Sequence, residues 1–333
     1  MKVERSIQNI ELVYSQLLTL VRKAFPDCQR LDDWKILSGG ALNTTYKIQI
    51  GHHAFALRIY ARDRAHCKTE KAIHQLIDKA VFTPKLIYAD ESNEPWAYSI
   101  FEFVSGVHIS ELSNQEKATL SHELGHVLAS IHAFKLPKAG LFGDGIAIGH
   151  PFELGSSPYF EETHLVLSNG KNVRSRLGEK LTDKALAFIH ENKIFFPTVK
   201  NDSICLTHSD FKPVNLLYTD SRKVFVLDWE FAHAGIGILD FSILLRHRHE
   251  FPLDLSALSR GYMTFGGHLP DEWFRSALIT DFVNIVTLME TPPERPNLFD
   301  QLKNTIQTTI EQWNLIAELQ KTHQLDQDQE KSS

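Results

Sequence analysis

Two segments near the middle of the chain decide its fold: Leu206-Thr207-His208-Ser209-Asp210-Phe211-Lys212-Pro213-Val214-Asn215 and Val224-Phe225-Val226-Leu227-Asp228-Trp229-Glu230. Together they read as a strand, the pattern H-x-D-x-x-x-x-N, a second strand and an aspartate. Short apolar runs of this kind predict buried strands. Two such strands would hold Asp210, Asn215 and Asp228 rigidly near one another.

These three side chains have the chemistry that phosphoryl transfer to a hydroxyl requires. A carboxylate must orient the acceptor hydroxyl and take its proton, and oxygen ligands must hold Mg²⁺ against the phosphates. Asp210 suits the first role, while Asn215 and Asp228 suit the second. The alternative is that His208, Asp210 and Asn215 cap a turn, since Asp and Asn are common in turns.

The predicted secondary structure changes at Gly106. Before Gly106 the pattern predicts an amphipathic helix over 5–24, a helix over 69–79 and strands at 34–37, 44–50, 54–60, 85–88 and 97–104. After Gly106 it predicts helices at 113–133, with a Ser113/Glu116 capping box, and at 181–191, 238–249, 271–290 and 298–320. We therefore predict an α+β fold with two lobes, one small and β-rich, the other larger and mainly helical.

Four segments follow from this division of the chain. They are an N-terminal amphipathic helix in 1–30, a nucleotide-binding N-lobe in 31–104 that ends in a hinge, a helical C-lobe in 105–321 with the catalytic loop and acceptor site, and a polar tail in 322–333. A cleft between two lobes is a common place for a ligand.

Composition excludes several other classes of protein. The chain has 333 residues, of which 43% are hydrophobic and 23% charged, which is ordinary for a globular protein. The net charge of −6 does not favour a nucleic acid or an anionic membrane as partner, and no apolar run of about 18 residues predicts a membrane span. Three cysteines without a short spacing indicate no disulfide framework, so we expect a cytoplasmic protein.

The two central segments resemble the catalytic segment of the aminoglycoside phosphotransferase and choline kinase family, small-molecule kinases on a protein-kinase-like fold. The resemblance spans about residues 35–250 in the family's order. Phe55–Tyr60 resembles the phosphate-contacting strand, Lys68–Leu76 the helix whose Glu pairs with its basic residue, Ser99–Gly106 the adenine hinge, and Gly235–Phe241 the G-x-x-x-D continuation.

This resemblance implies roles for individual residues. Asp210 would be the catalytic base, Asn215 and Asp228 the metal ligands, and Arg58 the partner of Glu70. The turn 38–43 would lie over the phosphates, where backbone N–H groups can approach closely; a plain hairpin loop would look the same. The implied cofactors are ATP (or GTP) and Mg²⁺, and the implied cofactor-binding residues are Gly39, Gly40, Asn43, Arg58, Glu70, Glu102 and Val104.

The sequence differs from protein kinases at several positions, and these differences affect the predicted roles. Arg58 stands where many kinases have Lys, and its planar fork binds differently. Trp229-Glu230 replaces Phe-Gly and no Ala-Pro-Glu follows, which argues against an activation loop ordered by phosphorylation. Lys212 could stabilise the transferred charge at the γ-phosphate and is a second candidate catalytic residue; it could equally be a solvated lysine before a proline turn.

A second motif suggests a different class of enzyme. His122-Glu123-Leu124-Gly125-His126, followed by His132, nearly matches the signature of metzincin zinc proteases. Ala129 replaces the glycine that turns the chain before the third histidine, and it favours continued helix. Because His122 and His126 also point away from the apolar face of this helix, we expect the stretch to be structural.

The phosphate acceptor is predicted less sharply. We expect a small-molecule hydroxyl, and a cationic acceptor would suit carboxylates at Glu230, Asp271, Glu272, Asp281 or Glu290, which could also be solvated helix faces. Trp273 and Trp313 could stack on a cation or belong to the core. The connection 136–181 is a further candidate for the acceptor pocket. The prediction is thus a Mg²⁺-dependent phosphotransferase, the alternatives being a non-catalytic nucleotide-binding scaffold, a zinc protease, and a protein hydroxyl as acceptor.

Overall fold

The N-terminal lobe is built on a five-stranded antiparallel sheet with two helices. The computed structural model describes residues 7–37, 42–77, 79–92, 94–248, 251–292 and 294–316. The sheet has the order β1-β2-β3-β5-β4. Its elements, with the helices, are α1 (Tyr14–Ala24), β1 (Asp33–Ile36), β2 (Thr44–Ile50), β3 (His53–Ile59), α2 (Ala65–Ile77), β4 (Leu86–Asp90) and β5 (Tyr98–Glu102).

Alternation along β2 explains how this lobe forms its core. Thr44, Tyr46 and Ile48 are buried on one face, as expected for a strand with one covered face. Helix α1 packs Leu17 and Val21 into the same cluster. Helix α2 differs, because its Ile73 and Ile77 pack into the core of the other lobe. It therefore couples the two lobes.

The predicted first helix begins later than its pattern suggested. Residues 7–13 are not helical, and α1 starts at Tyr14. The backbone amide of Ile10 donates to Thr44 Oγ1 at 2.9 Å and that of Leu12 to the Tyr46 hydroxyl at 2.7 Å. These long-range bonds hold the segment against β2, and a helical apolar spacing cannot reveal them.

The C-terminal lobe is mainly helical and carries two small sheets. They have the orders β11-β10-β6 and β8-β7-β12-β9. The strands are β6 (Val107–His108), β7 (Gly140–Phe142), β8 (Ile148–Pro151), β9 (Ile204–Thr207), β10 (Leu216–Tyr218), β11 (Val224–Val226) and β12 (His233–Ile236). The helices are α3 (Asn114–Thr119), α4 (Ser121–His132), α5 (Pro158–Asn169), α6 (Lys171–Leu177), α7 (Glu179–Glu191), α8 (Ile238–Arg246), α9 (Leu255–Thr264), α10 (Trp273–Glu290) and α11 (Pro296–Glu311).

The predicted α+β fold with a β-rich and a helical lobe is confirmed, with local corrections. The Ser113/Glu116 capping box is present, but the helix predicted to 133 divides at Leu120 into α3 and α4. The connection 136–181 contains β7, β8, α5 and α6, none of which the sequence predicted. Trp313 is a core residue, and its indole N–H donates to Asn192 Oδ1 at 2.6 Å.

Helix α9 was also missed, because the feature that places it is a contact between two backbones. A Cβ on Gly125 of α4 would lie 2.1 Å from Leu258 O, and one on Gly261 of α9 would lie 2.0 Å from His122 O. Only glycine permits this approach.

No helix among the described residues is both long enough and apolar enough to cross a membrane.

Candidate active site

The loop after β9 brings Asp210 and Asn215 into direct contact. The Asn215 side-chain amide donates to Asp210 O at 3.0 Å and to Asp210 Oδ2 at 2.8 Å. The Lys212 ammonium lies 2.8 Å from the same carboxylate oxygen. A short 3₁₀ turn over Pro213–Asn215 closes the loop. The Asp210 side chain remains 17% exposed, so this carboxylate is partly accessible.

A buried carboxylate from α8 fixes the backbone of this loop. Asp240 accepts from the amides of His208 at 2.8 Å and Ser209 at 2.7 Å, and Ser209 adopts a left-handed conformation with φ of 63°. His132 Nε2 lies 3.0 Å from Asp240 Oδ2, and the Tyr262 hydroxyl lies 2.9 Å from His132 Nδ1. Burial alone would raise the pKa of Asp240, but the hydrogen bond and charge of His132 hold that pKa below its usual value.

Asp228 follows β11 and meets the N-terminal lobe. Its carboxylate lies 2.5 Å from Arg58 Nη2, and Arg58 also lies 3.6 Å from Glu70 and 3.4 Å from Glu230. Burial favours the neutral form of Asp228, but the charge and hydrogen bond of Arg58 lower its pKa. Burial opposes the charge on Arg58 as well, yet Asp228, Glu70 and Glu230 raise its pKa well above its usual value. These shifts favour the charged forms of both Asp228 and Arg58.

Two hydrogen bonds, one between backbone groups and one from a side chain to the backbone, join the Asp210 loop to the Asp228 segment. The Leu227 amide donates to Asn215 O at 2.9 Å, and His208 Nε2 lies 2.9 Å from Leu227 O. Asp210, Asn215 and Asp228 therefore lie side by side, and the Asp228 side chain is 26% exposed.

The donor set suits a hard divalent cation. Both contacts of the Asn215 amide nitrogen go to Asp210, and within the described ranges no group donates to Asn215 Oδ1. Asp228 adds a charged carboxylate. Oxygen ligands of this kind are those that Mg²⁺ prefers.

The N-terminal lobe contributes the remaining predicted positions. Gly39 and Gly40 lie outside the described residues. Asn43 donates from Nδ2 to Glu230 Oε2 at 2.6 Å and accepts from the Ala61 amide at 3.2 Å, so its side chain joins the end of the turn to the Asp228 segment. At the hinge, Glu102 is exposed and lies 3.8 Å from Lys85.

The Val104 amide is available to a ligand. It follows Phe103, whose amide donates to Ala54 O, and no acceptor for the Val104 amide exists in the part of the chain that the structure describes. An adenine ring could accept from such a group.

A model of the APH phosphotransferase enzyme family matches residues 33–274, well over half of the chain and all of the site just described. The chain belongs to this family. It is a small-molecule phosphotransferase.

Several solved structures have a similar fold. Aminoglycoside phosphotransferase APH(4)-Ia is 15% identical, with 90% of this chain and 99% of that chain covered and a TM-score of 0.62. ADP-bound APH(2'')-Ib is 15% identical, with coverages of 90% and 99% and a TM-score of 0.59. Spectinomycin phosphotransferase APH(9)-Ia, in complex with ADP and its antibiotic, is 14% identical, with coverages of 91% and 100% and a TM-score of 0.54. They show that the phosphotransferase shares their protein-kinase-like fold. No curated protein matches the chain significantly.

The carboxylates suggested for a cationic acceptor do not gather at one place in the phosphotransferase. Glu230 is buried against Arg58, and burial beside Asp228 raises its pKa. Asp281 is paired with Arg246. Glu290 accepts from the Val173 amide at 2.9 Å near α6, and Asp271 and Glu272 lie exposed before α10.

The zinc motif has a structural role in the phosphotransferase. His132 is buried against Asp240, and His126 stacks on Phe265 with ring centroids 3.5 Å apart. Across the described segments no three His, Cys, Asp or Glu side chains form a metal-binding group. The zinc alternative is therefore not supported.

Sequence reasoning missed two residues that shape the site. Tyr60 donates its hydroxyl to Glu70, and His66 lies 3.4 Å from Glu230. Tyr60 ends the segment that resembles the phosphate-contacting strand but was given no role of its own, and His66 stands in no motif and acts through a contact with a distant segment. Asp240 had a signal in the Gly235–Phe241 segment that resembles the family's continuation, but that resemblance did not disclose that Asp240 binds the Asp210 loop.

Proposed function

We propose that this phosphotransferase transfers the γ-phosphate of ATP, or of GTP, to a hydroxyl of a small molecule with the help of Mg²⁺. The observation that carries the proposal is the contact of Asp210 with both Asn215 and Lys212, next to Asp228, at an accessible surface. A base, two metal ligands and a cation thus meet where charge would be transferred.

Asp210 is the proposed base. Its Oδ2 is fixed by Asn215 and Lys212, so the carboxylate has one orientation before an acceptor arrives. Within hydrogen-bond distance of a hydroxyl, it would orient the nucleophile and accept its proton. Positioning of this kind supplies much of the catalysis in phosphoryl transfer.

Asn215 and Asp228 are the proposed holders of Mg²⁺. When bound, the ion would neutralise charge that develops on the phosphate oxygens. Lys212 lies close enough to add a second positive charge: burial opposes its ionisation, but Asp210 and Asp228 raise its pKa, so it stays protonated.

The nucleotide is proposed to lie against the N-terminal lobe. The free Val104 amide suits the adenine edge, and the exposed residue Glu102 lies two positions before it in the chain. Arg58, held by Glu70 and Asp228, is a phosphate contact, and the turn that contains Gly39 and Gly40 would complete the site. Two structures of similar fold contain ADP, which supports the proposal of a nucleotide site.

The test is Asp210→Asn, with the exposed Asp220→Asn as matched control. A positioned base contributes about 10²- to 10⁴-fold, so we expect kcat to fall by that factor while ATP still raises the Tm. The measurement is ADP release over a panel of aminoglycosides, polyols, amino alcohols and hydroxy acids, with Mg²⁺ and each nucleotide. Near-normal turnover by Asp210→Asn would refute the proposed base. No phosphoryl transfer by the wild type, with ATP still bound, would favour a non-catalytic scaffold.

A further inference from the structure

Helix α8 connects the loop of the proposed base to a second, basic site. Asp240, near its start, holds the backbone of His208 and Ser209. Arg246, in its last turn, lies six residues further, about 9 Å along the axis. Arg246 thus projects from an element that is fixed to the base loop.

Arg246 is held as a fork by α10. Its Nε donates to Asp281 Oδ2 at 2.7 Å, and its Nη2 donates to Asp281 Oδ1. Among the described residues no acceptor is found for Nη1, and the side chain is 13% exposed. A guanidinium held in this way keeps N–H groups that match the two oxygens of a carboxylate or a phosphate.

The charge of the proposed base acts on this fork. Burial would lower the pKa of Arg246, but Asp281 and also Asp210 raise it. The neighbouring His247 responds to both cations: burial, together with the charges of Arg246 and Lys212, lowers its pKa to about 3. The charges of Asp210 and Lys212 thus act on the end of α8, and His247 is neutral at pH 7.

Helix α10 has further polar groups close to Asp281 in the sequence. Thr280 Oγ1 and Asn284 Nδ2 are buried, and the described residues provide no hydrogen-bond partner for either atom. Both residues stand within one helical turn of Asp281. Buried polar atoms without partners indicate that a ligand or water completes them.

We propose that the acceptor carries an anionic group, a carboxylate or a phosphate ester, and that Arg246 binds it while the acceptor hydroxyl lies at Asp210. This inference rests on the proposed function and adds that the acceptor of that reaction is negatively charged. It replaces the cationic acceptor considered from the sequence, because three of the carboxylates suggested for that purpose, Glu230, Asp281 and Glu290, already have partners within the chain. Arg246 is here a specificity residue and takes no part in the transfer itself.

The test uses matched six-carbon polyols that differ in one terminal group. Gluconate has a carboxylate, glucitol a hydroxymethyl group and glucamine an ammonium group; glucitol 6-phosphate adds the phosphate ester. Their binding to the full chain is measured by calorimetry at low ionic strength, with Mg²⁺ and a non-hydrolysable ATP analogue present. We expect gluconate or glucitol 6-phosphate to bind about tenfold or more tightly than glucitol, and glucamine most weakly. The stronger of the two anions identifies the group.

Three variants test whether the preference for an anion depends on Arg246 itself. Arg246→Gln should remove the preference for the anion and leave affinity for the ATP analogue unchanged, Arg246→Lys should retain part of it, and the exposed Arg222→Gln should behave as wild type. If the wild type binds glucamine as tightly as the anionic polyols, or more tightly, the inference is wrong. It is also wrong if the wild type binds none of the polyols. Loss of nucleotide affinity in Arg246→Gln would place this residue at the γ-phosphate and also overturn it. Because the ATP analogue and Asp210→Asn are assayed separately, these outcomes are distinguishable from failure of the proposed function.

Discussion

Replacing Asp240 with Asn should lower both the stability and the activity of the phosphotransferase, because Asp240 fixes the loop that carries the proposed base. The carboxylate accepts three hydrogen bonds, from the His208 amide, the Ser209 amide and His132, and it is fully buried. Asparagine is isosteric but has one acceptor oxygen. Whichever way the amide is oriented, its NH₂ group faces at least one backbone N–H donor.

The magnitude follows from these contacts. A hydrogen bond to a charged group contributes about 1.5–3 kcal/mol, and breaking a buried ion pair costs about 3–5 kcal/mol. We therefore expect Asp240→Asn to lower the free energy of unfolding by about 3 kcal/mol. Because Asp210 follows Ser209 directly, a shift of the loop by about 1 Å should also lower kcat by about 10²-fold, while nucleotide binding persists.

The assay is urea unfolding followed by tryptophan fluorescence, with Asp220→Asn as control, between pH 3 and 8. Since the folded pKa of Asp240 is depressed, its contribution is present above the ordinary carboxyl pKa of about 3.9 and is lost as pH falls through the folded value. The difference between wild type and variant should thus be constant near neutrality and narrow below about pH 4. A free energy of unfolding within 0.5 kcal/mol of the control, by the usual range of surface changes, would refute the reasoning.

Two other substitutions test the packing and the charge cluster. Gly125→Ala would place a Cβ 2.1 Å from Leu258 O, so we expect the free energy of unfolding in urea to fall by about 3 kcal/mol; a loss under about 1 kcal/mol would contradict the close approach of α4 and α9. Arg58→Met leaves Asp228 and the buried Glu70 without their cation, so we expect a loss of about 3–5 kcal/mol and a raised KM for ATP. Arg58→Lys should recover part of both, and equal KM values in all three proteins would exclude Arg58 as a phosphate contact.

The sequence predicted those features that depend on neighbours along the chain. The β2–β3 hairpin could be read from alternation across the Gly51-His52 turn, and the structure pairs Ile50 with His53 there. The contact of Asn215 with Asp210 spans five residues and was implied by one motif. The β-rich lobe followed by a helical lobe also came from local periodicity, which directly reports the face that each element buries.

Other features required the folded chain. The pairing of α4 with α9 through two glycines, the placement of residues 7–13 against β2 and the burial of Glu230 left no periodic trace. Each depends on which surfaces meet. A propensity or a spacing contains no such information.

For this phosphotransferase the sequence alone determined the class of chemistry, because the H-x-D-x-x-x-x-N and Asp228 patterns specify residue types whose oxygens suit a base and a metal. Tertiary structure alone decided the charge around the base. Asp228 is joined to Arg58, 170 residues away, and Arg246 to Asp281, 35 residues away. Such contacts form when helices and sheets pack, and the field at a site is the sum over charges that are near in space, however far apart they lie in the chain.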